Sequence, residues 1–189
     1  MRILEANTID IGYKKVLQRG LSFDVSKGDI LFVSGANGTG KTTLIKTLLG
    51  EVSVLSGELK VKDGLRTQYL PQLLQYDFPL SLTLDEILDI YEVPERIKNF
   101  LSEDQRDLCW QDASGGQKQK TLILSRLSRN QDILFLDEPF NHVDKESSSQ
   151  LMNFFQELIF EGFISSLVII SHVIPSELNH ENIKGLKLQ

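Results

Sequence analysis

Apolar residues recur along this chain in two rhythms. Short runs at Ile3 to Ile9, Leu21 to Val25 and Ile30 to Val33 read as strands, the first two as an antiparallel edge. A helix begins near Gly40 and runs through TTLIKTLLG, where Leu44, Ile45, Leu48 and Leu49 fall at helical spacing before Gly50 ends it. GELKVKDG and RTQYLPQ follow as two extended segments around a Lys-Asp-Gly turn. The stretch from Leu73 to Ala113 changes texture: it is richer in acids, holds Pro79 and Pro94, and contains helical runs such as LDEILDIY, the pattern of a small helical lobe. From Gly116 the alternation returns, with a helix to Ser128, a strand at Ile133 to Leu136, a helix from about Lys145 to Glu161 and a strand at Leu167 to Ile170. Strands separated by helices imply an α/β fold whose mainly parallel sheet is covered on both faces. No internal repeat, low-complexity tract or flexible linker interrupts the pattern.

Composition narrows the setting. The 189 residues suit one compact domain with a small inserted lobe, and 41% hydrophobic with 24% charged residues matches a soluble globular protein. No apolar run exceeds about four residues, far short of the roughly 20 that cross a bilayer. The start, MRILEANTID, has an early acid and no extended apolar stretch, so it does not read as a secretory signal, and a cytoplasmic protein is expected. A lone cysteine, Cys109, permits no internal disulfide and is expected to be a buried small side chain. With 20 basic and 26 acidic residues the formal charge is −6, which argues against broad nonspecific binding of nucleic acid.

Two motifs carry chemistry. Gly35-Ala36-Asn37-Gly38-Thr39-Gly40-Lys41-Thr42 fits G-x-x-x-x-G-K-[ST] and sits between an apolar strand and an amphipathic helix. Gly35, Gly38 and Gly40 permit backbone torsions that bring successive amides, Asn37 and Thr43 included, around phosphate oxygens at a helix N-terminus. Lys41 then reaches the β and γ phosphates of a nucleotide, and the Thr42 hydroxyl joins the shell of a Mg²⁺ ion. Further on, the apolar run Ile133 to Leu136 ends in Asp137 and Glu138, delivered to the carboxyl edge of the sheet where open α/β folds bind ligands. Asp137 is placed to hold Mg²⁺, directly or through water, and Glu138 to orient or deprotonate an attacking water. The pairing indicates hydrolysis as well as binding.

These residues, with Ser114-Gly115-Gly116-Gln117 between the two motifs, Gln72 in YLPQ, Asp144, and His172 in VIISH, resemble the ATP-binding-cassette ATPases from about residue 2 to residue 175. The resemblance implies a P-loop NTPase core with an N-terminal antiparallel β portion and a helical subdomain at about 73–115. It implies that Tyr13 stacks on adenine, that Gln72 approaches Mg²⁺ and the attacking water, and that His172 is the switch histidine at the γ-phosphate. Tyr13 also fits ordinary packing, and Gln72 a plain strand end. The resemblance further implies that Ser114, Gly115, Gly116 and Gln117 contact nucleotide held by an opposite protomer, and that Asp144 connects two sites across a dimer. Ser114 and Asp144 equally suit helix N-caps.

Three positions depart from the family's pattern: Ala113 stands where leucine is usual, Lys120 where arginine is common, and Val173 where an acid often follows the histidine. His142, His180 and Cys109 form no spaced metal-ligand cluster. The resemblance implies the ATP-hydrolysing subunit of a transporter, working as a homodimer or pseudo-dimer of cassettes on the inner face of the cell membrane with a separate transmembrane subunit. YLPQ followed by Tyr76-Asp77-Phe78-Pro79-Leu80-Ser81-Leu82-Thr83 looks somewhat like zinc or manganese transporter cassettes, and the short C-terminus like haem-exporter subunits. Asn141-His142-Val143-Asp144 instead resembles a segment of soluble ATPases that act on ribosomes. A nucleotide-dependent regulator is the third alternative.

Overall fold

The computed structural model describes residues 1–72, 78, 80–127, 131–141, 143–172 and 182–189. The chain begins with strands β1 (Arg2–Gly12), β2 (Val16–Ser26) and β3 (Ile30–Ser34), then helix α1 (Lys41–Leu48). Next come β4 (Ser56–Val61), β5 (Thr67–Leu70) and helices α2 (Leu84–Ile90), α3 (Glu95–Lys98), α4 (Glu103–Arg106) and α5 (Gly115–Leu124). The remainder is β6 (Ile133–Asp137), α6 (Lys145–Phe160), β7 (Ser166–Ile170) and β8 (Ile183–Lys187). The helix expected to reach Ser128 ends at Leu124, with Ser125 as its C-cap; Ser128, residues 73–77 and 79 of the expected lobe, and His142, Val173 and His180 lie outside the described residues.

Five strands form a parallel sheet in the order β5-β6-β7-β3-β8. Its central strands are apolar on both faces because both faces are covered. Ile30, Phe32, Leu134, Leu136, Leu167 and Ile169 enter one core with residues of α2, α5 and α6. The alternate positions Leu31, Val33, Ile133, Phe135, Val168 and Ile170 enter a second core with α1 and the N-terminal strands. Strand periodicity of two therefore divides one apolar run between two cores.

The N-terminal strands were expected as an antiparallel edge; they form a separate three-stranded sheet in the order β2-β1-β4. β4 and β5 likewise stand in different sheets rather than pairing across their turn. β8 gave no sequence signal, because IKGLK has a glycine, two lysines and no alternation strong enough to mark a strand. It pairs with β3 at the end of the sheet, where lysines suit an edge. Cys109 is half-buried rather than buried, and its backbone bridges to Thr83 at the start of α2.

Candidate functional site

The loop after β3 reaches α1 through Gly40, whose φ of 94° is left-handed and strains any residue with a Cβ. A Cβ on Gly40 would also stand 3.3 Å from Leu17 Cβ. The Lys41 ammonium lies within the loop, donating to the carbonyls of Gly35 at 2.8 Å and Ala36 at 3.1 Å. It is 9% exposed, so its charge is held close to the cradle rather than dispersed in solvent. The Thr39 hydroxyl donates to Ala36 O at 2.9 Å and closes the turn from within.

β6 carries the two acids to the same place. The Thr42 hydroxyl donates to Asp137 Oδ2 at 2.9 Å, and the Tyr69 hydroxyl, from the end of β5, lies 3.4 Å from that oxygen. Burial pushes the Asp137 carboxyl up, against the pull of these two hydrogen bonds and of Lys41. Burial, then the charge of Asp137, pushes the Tyr69 phenol well above its ordinary value, so it remains a donor. Sequence reasoning missed Tyr69: its approach to Asp137 depends on the parallel register of β5 with β6, which no local pattern encodes.

Glu138 follows directly, with φ of 53°, a left-handed conformation that strains a residue other than glycine. Its N–H donates to Ile170 O at 3.0 Å, which fixes the turn against the end of β7. The side chain is 7% exposed, and burial raises its carboxyl above the usual range, with His172 and Lys41 opposing. His172 Nε2 lies 3.0 Å from Glu138 Oε1 but out of line for a hydrogen bond, so the pair is an electrostatic contact. The His172 ring itself is 49% exposed, at the mouth.

These groups enclose a cavity of about 360 Å³. Asn37, Gly38, Gly40, Lys41, Thr42 and Thr43 form one wall, and Gln72, Asp137, Glu138 and His172 form the other. Leu17 of β2, not singled out in the sequence, adds an apolar side. Gly35 lies at the base of the loop, outside the wall, against Leu188. Tyr13 is exposed and is not part of the wall.

The ABC transporter family profile matches residues 18–141, more than half of the chain. The chain belongs to the ABC transporter family. It is 33% identical over 162 residues to the zinc import ATP-binding protein ZnuC 1 of Hahella chejuensis, covering 84% of this chain and 63% of that protein. It is 30% identical over 194 residues to the manganese transport system ATP-binding protein MntB of Bacillus subtilis, covering 89% of this chain and 76% of that one. The chain thus spans just under two thirds of the zinc protein's length. Its fold resembles that of an ABC transporter ATP-binding protein from Pyrococcus furiosus with a TM-score of 0.78 at 22% identity, over 98% of this chain and 96% of that structure.

Ser114, Gly115, Gly116, Gln117 and Asp144 stand apart from the cavity wall. Ser114 caps α5: its hydroxyl accepts from Gln117 N at 3.3 Å, and Gln117 Oε1 accepts from Ser114 N at 2.8 Å. This leaves Gly115 and Gly116 as the first residues of the helix, with nothing beyond backbone to present. Asp144 caps α6 by accepting from Ser147 N at 2.8 Å, and that bond lowers its carboxyl below the usual range. Two further contacts tie α5 down, one beside the site and one to α6. Gln119 Nε2 donates to Pro139 O at 3.0 Å, one residue beyond Glu138, and Lys120 Nζ donates to Ser147 Oγ at 2.8 Å. Lys120, where arginine is common, therefore bridges α5 to α6.

Proposed function

We propose that this chain is the ATP-hydrolysing subunit of an ABC transporter that carries a divalent metal ion, with a separate membrane-spanning subunit supplying the path. The observation that carries the reading is the meeting, in one cavity, of Lys41, the Thr42–Asp137 pair and the Glu138–His172 pair. The relatives' names favour transport over a translation ATPase or a nucleotide-dependent regulator. They also favour a metal ion as cargo. Among the described residues no helix is long and apolar enough to cross a membrane. On this reading residues 1–189 are one ATPase domain, with the helical segment at about 73–115 inserted in the α/β core, and the domain works at the inner face of the membrane.

The residues fit a triphosphate and a hard cation. The loop is a cradle that a Cβ at Gly40 would crowd, and Thr42 with Asp137 offers the all-oxygen donors that Mg²⁺ prefers. Gln72, in the opposite wall, adds a side-chain oxygen. Bound there, Mg²⁺ supplies charge neutralisation at the β and γ phosphates. Lys41 binds the same oxygens and gives up its carbonyl partners as it does so. Glu138, once ionised, takes a proton from the attacking water, and His172 at the mouth steadies the γ-phosphate side of that carboxylate. Gln72 orients the water. Tyr13, an exposed aromatic that the family resemblance assigns to the base, covers adenine.

Ser114, Gly115, Gly116, Gln117 and Asp144 lie outside the wall, and the family resemblance assigns them to the nucleotide of a second copy. Two chains placed head to tail set the α5 N-terminus of each against the nucleotide of the other, where amides and a hydroxyl favour an anion. Hydrolysis removes the shared charge and lets the pair open. Glu138→Gln tests the proposal. Turnover falls at least ~100-fold, as for loss of a general base, and an ATP-held dimer accumulates on gel filtration with Mg²⁺. Rapid turnover without that dimer contradicts the assignment.

A further inference from the structure

Gln18 follows Leu17 on β2, and strand alternation turns the two side chains to opposite sides. Leu17 lines the cavity, whereas Gln18 is 8% exposed and needs internal partners. It finds them in two distant segments. Nε2 donates to Thr39 O in the phosphate-binding loop at 3.0 Å and to Gln189 O at 2.5 Å, and Oε1 accepts from Gln189 N at 3.4 Å. Both amide hydrogens are thus committed.

The far partner is firmly held. Leu188 N donates to Ser34 O at 2.8 Å, and Leu188 O is 2.9 Å from where a Cβ on Gly35 would stand. At the start of β8, Lys184 Nζ lies 2.6 Å from Asp24 Oδ2 and 2.7 Å from Asp29 Oδ2. β8 is therefore anchored at its start by Lys184 and just past its end by Leu188, the residue before Gln189.

We infer that Gln18 is a positioning residue for the phosphate-binding loop, fixing the Thr39–Gly40 peptide from outside with β8 as its anchor. The peptide is trans, so its C=O and N–H point in opposite directions. Holding Thr39 O toward Gln18 turns the Gly40 N–H away from Gln18, and Gly40 is a residue of the cavity wall. An amide aimed before the ligand arrives spares the cost of orienting it on binding. The inference rests on the reading of this cavity as a nucleotide site.

Gln18→Met keeps the length of the side chain and removes both donors. The dissociation constant for ADP, measured by calorimetry, rises about three- to tenfold, as for one lost hydrogen bond. The KM for ATP rises by the same factor while kcat stays within about twofold, the sign of binding lost equally from ground and transition states. Gln18→Glu, which loses the donors when ionised, repeats the comparison should the methionine variant not fold. Unchanged ADP affinity in a folded variant overturns the inference, as does a fall in kcat at unchanged KM. Failure of both variants to fold assigns Gln18 to the fold alone and overturns it equally. Wild-type chain that binds no ADP would instead remove the nucleotide reading itself.

Discussion

Glu138 bears two costs at one position, a left-handed backbone and a carboxylate withdrawn from water. Burial raises its pKa, so in the window above the ordinary glutamate range the folded chain holds more protons than the unfolded one. Stability is then lost as pH rises through that window, the cost of holding the ionised carboxylate inside the fold. Glu138→Gln removes it. The nucleotide-free variant is expected to melt about 2–4 °C above wild type at pH 8, for a gain of about 1 kcal/mol. The difference shrinks toward the ordinary glutamate range, where wild type is protonated too. Thermal scans at several pH values check this, and a variant that melts lower at pH 8 contradicts the burial cost. The residue that would limit turnover is thus also one that the fold would be steadier without.

At the scale of elements, caps set the helix starts. Thr83 and Glu86 form a reciprocal capping box at α2, as Ser102 and Gln105 do at α4. Thr83→Ala, distant in sequence from the cavity residues, is expected to cost about 1 kcal/mol, read as a lower urea midpoint at unchanged slope. ADP affinity should stay as it was. What sequence could show about these elements followed from how local their causes are. The G-x-x-x-x-G-K-T run, the strand ending in Asp137 and Glu138, and the helix begun by Asp144 each declare themselves within about a dozen residues. α3 and α4, four residues each, are too short for a period to show. β8 depends on β3 for every bond it makes in the sheet, and the tie from Gln18 to Gln189 spans 171 positions. Tyr69 meets Asp137 across a parallel pairing that periodicity does not specify. The caps on α5 and α6 were legible as one of two uses for Ser114 and Asp144, and the structure displays that use.

For the whole molecule, the proposed head-to-tail pairing, with the cavity and the α5 N-terminus on separate parts of one chain, predicts trans-complementation. Lys41→Ala spoils the cradle of its own copy, and Ser114→Arg spoils what that copy lends to its neighbour. Neither variant alone forms an intact composite site. A mixture of the two contains pairs in which one site is whole and the other doubly damaged. ATPase activity is therefore expected in the mixture and absent, or nearly so, from each variant by itself. A mixture as inactive as its components would show that each chain works without a neighbour's Ser114.

The buried amide of Gln119 adds a mechanical consequence. It latches α5 to the carbonyl that follows the strained glutamate, with no slack residue between helix and turn. A displacement of α5 relative to the sheet would therefore pull on the peptide that follows Glu138. On the proposed pairing, where the α5 N-terminus of one chain meets the nucleotide of the other, that link would lead from the neighbour's nucleotide to the turn beside this chain's own Glu138.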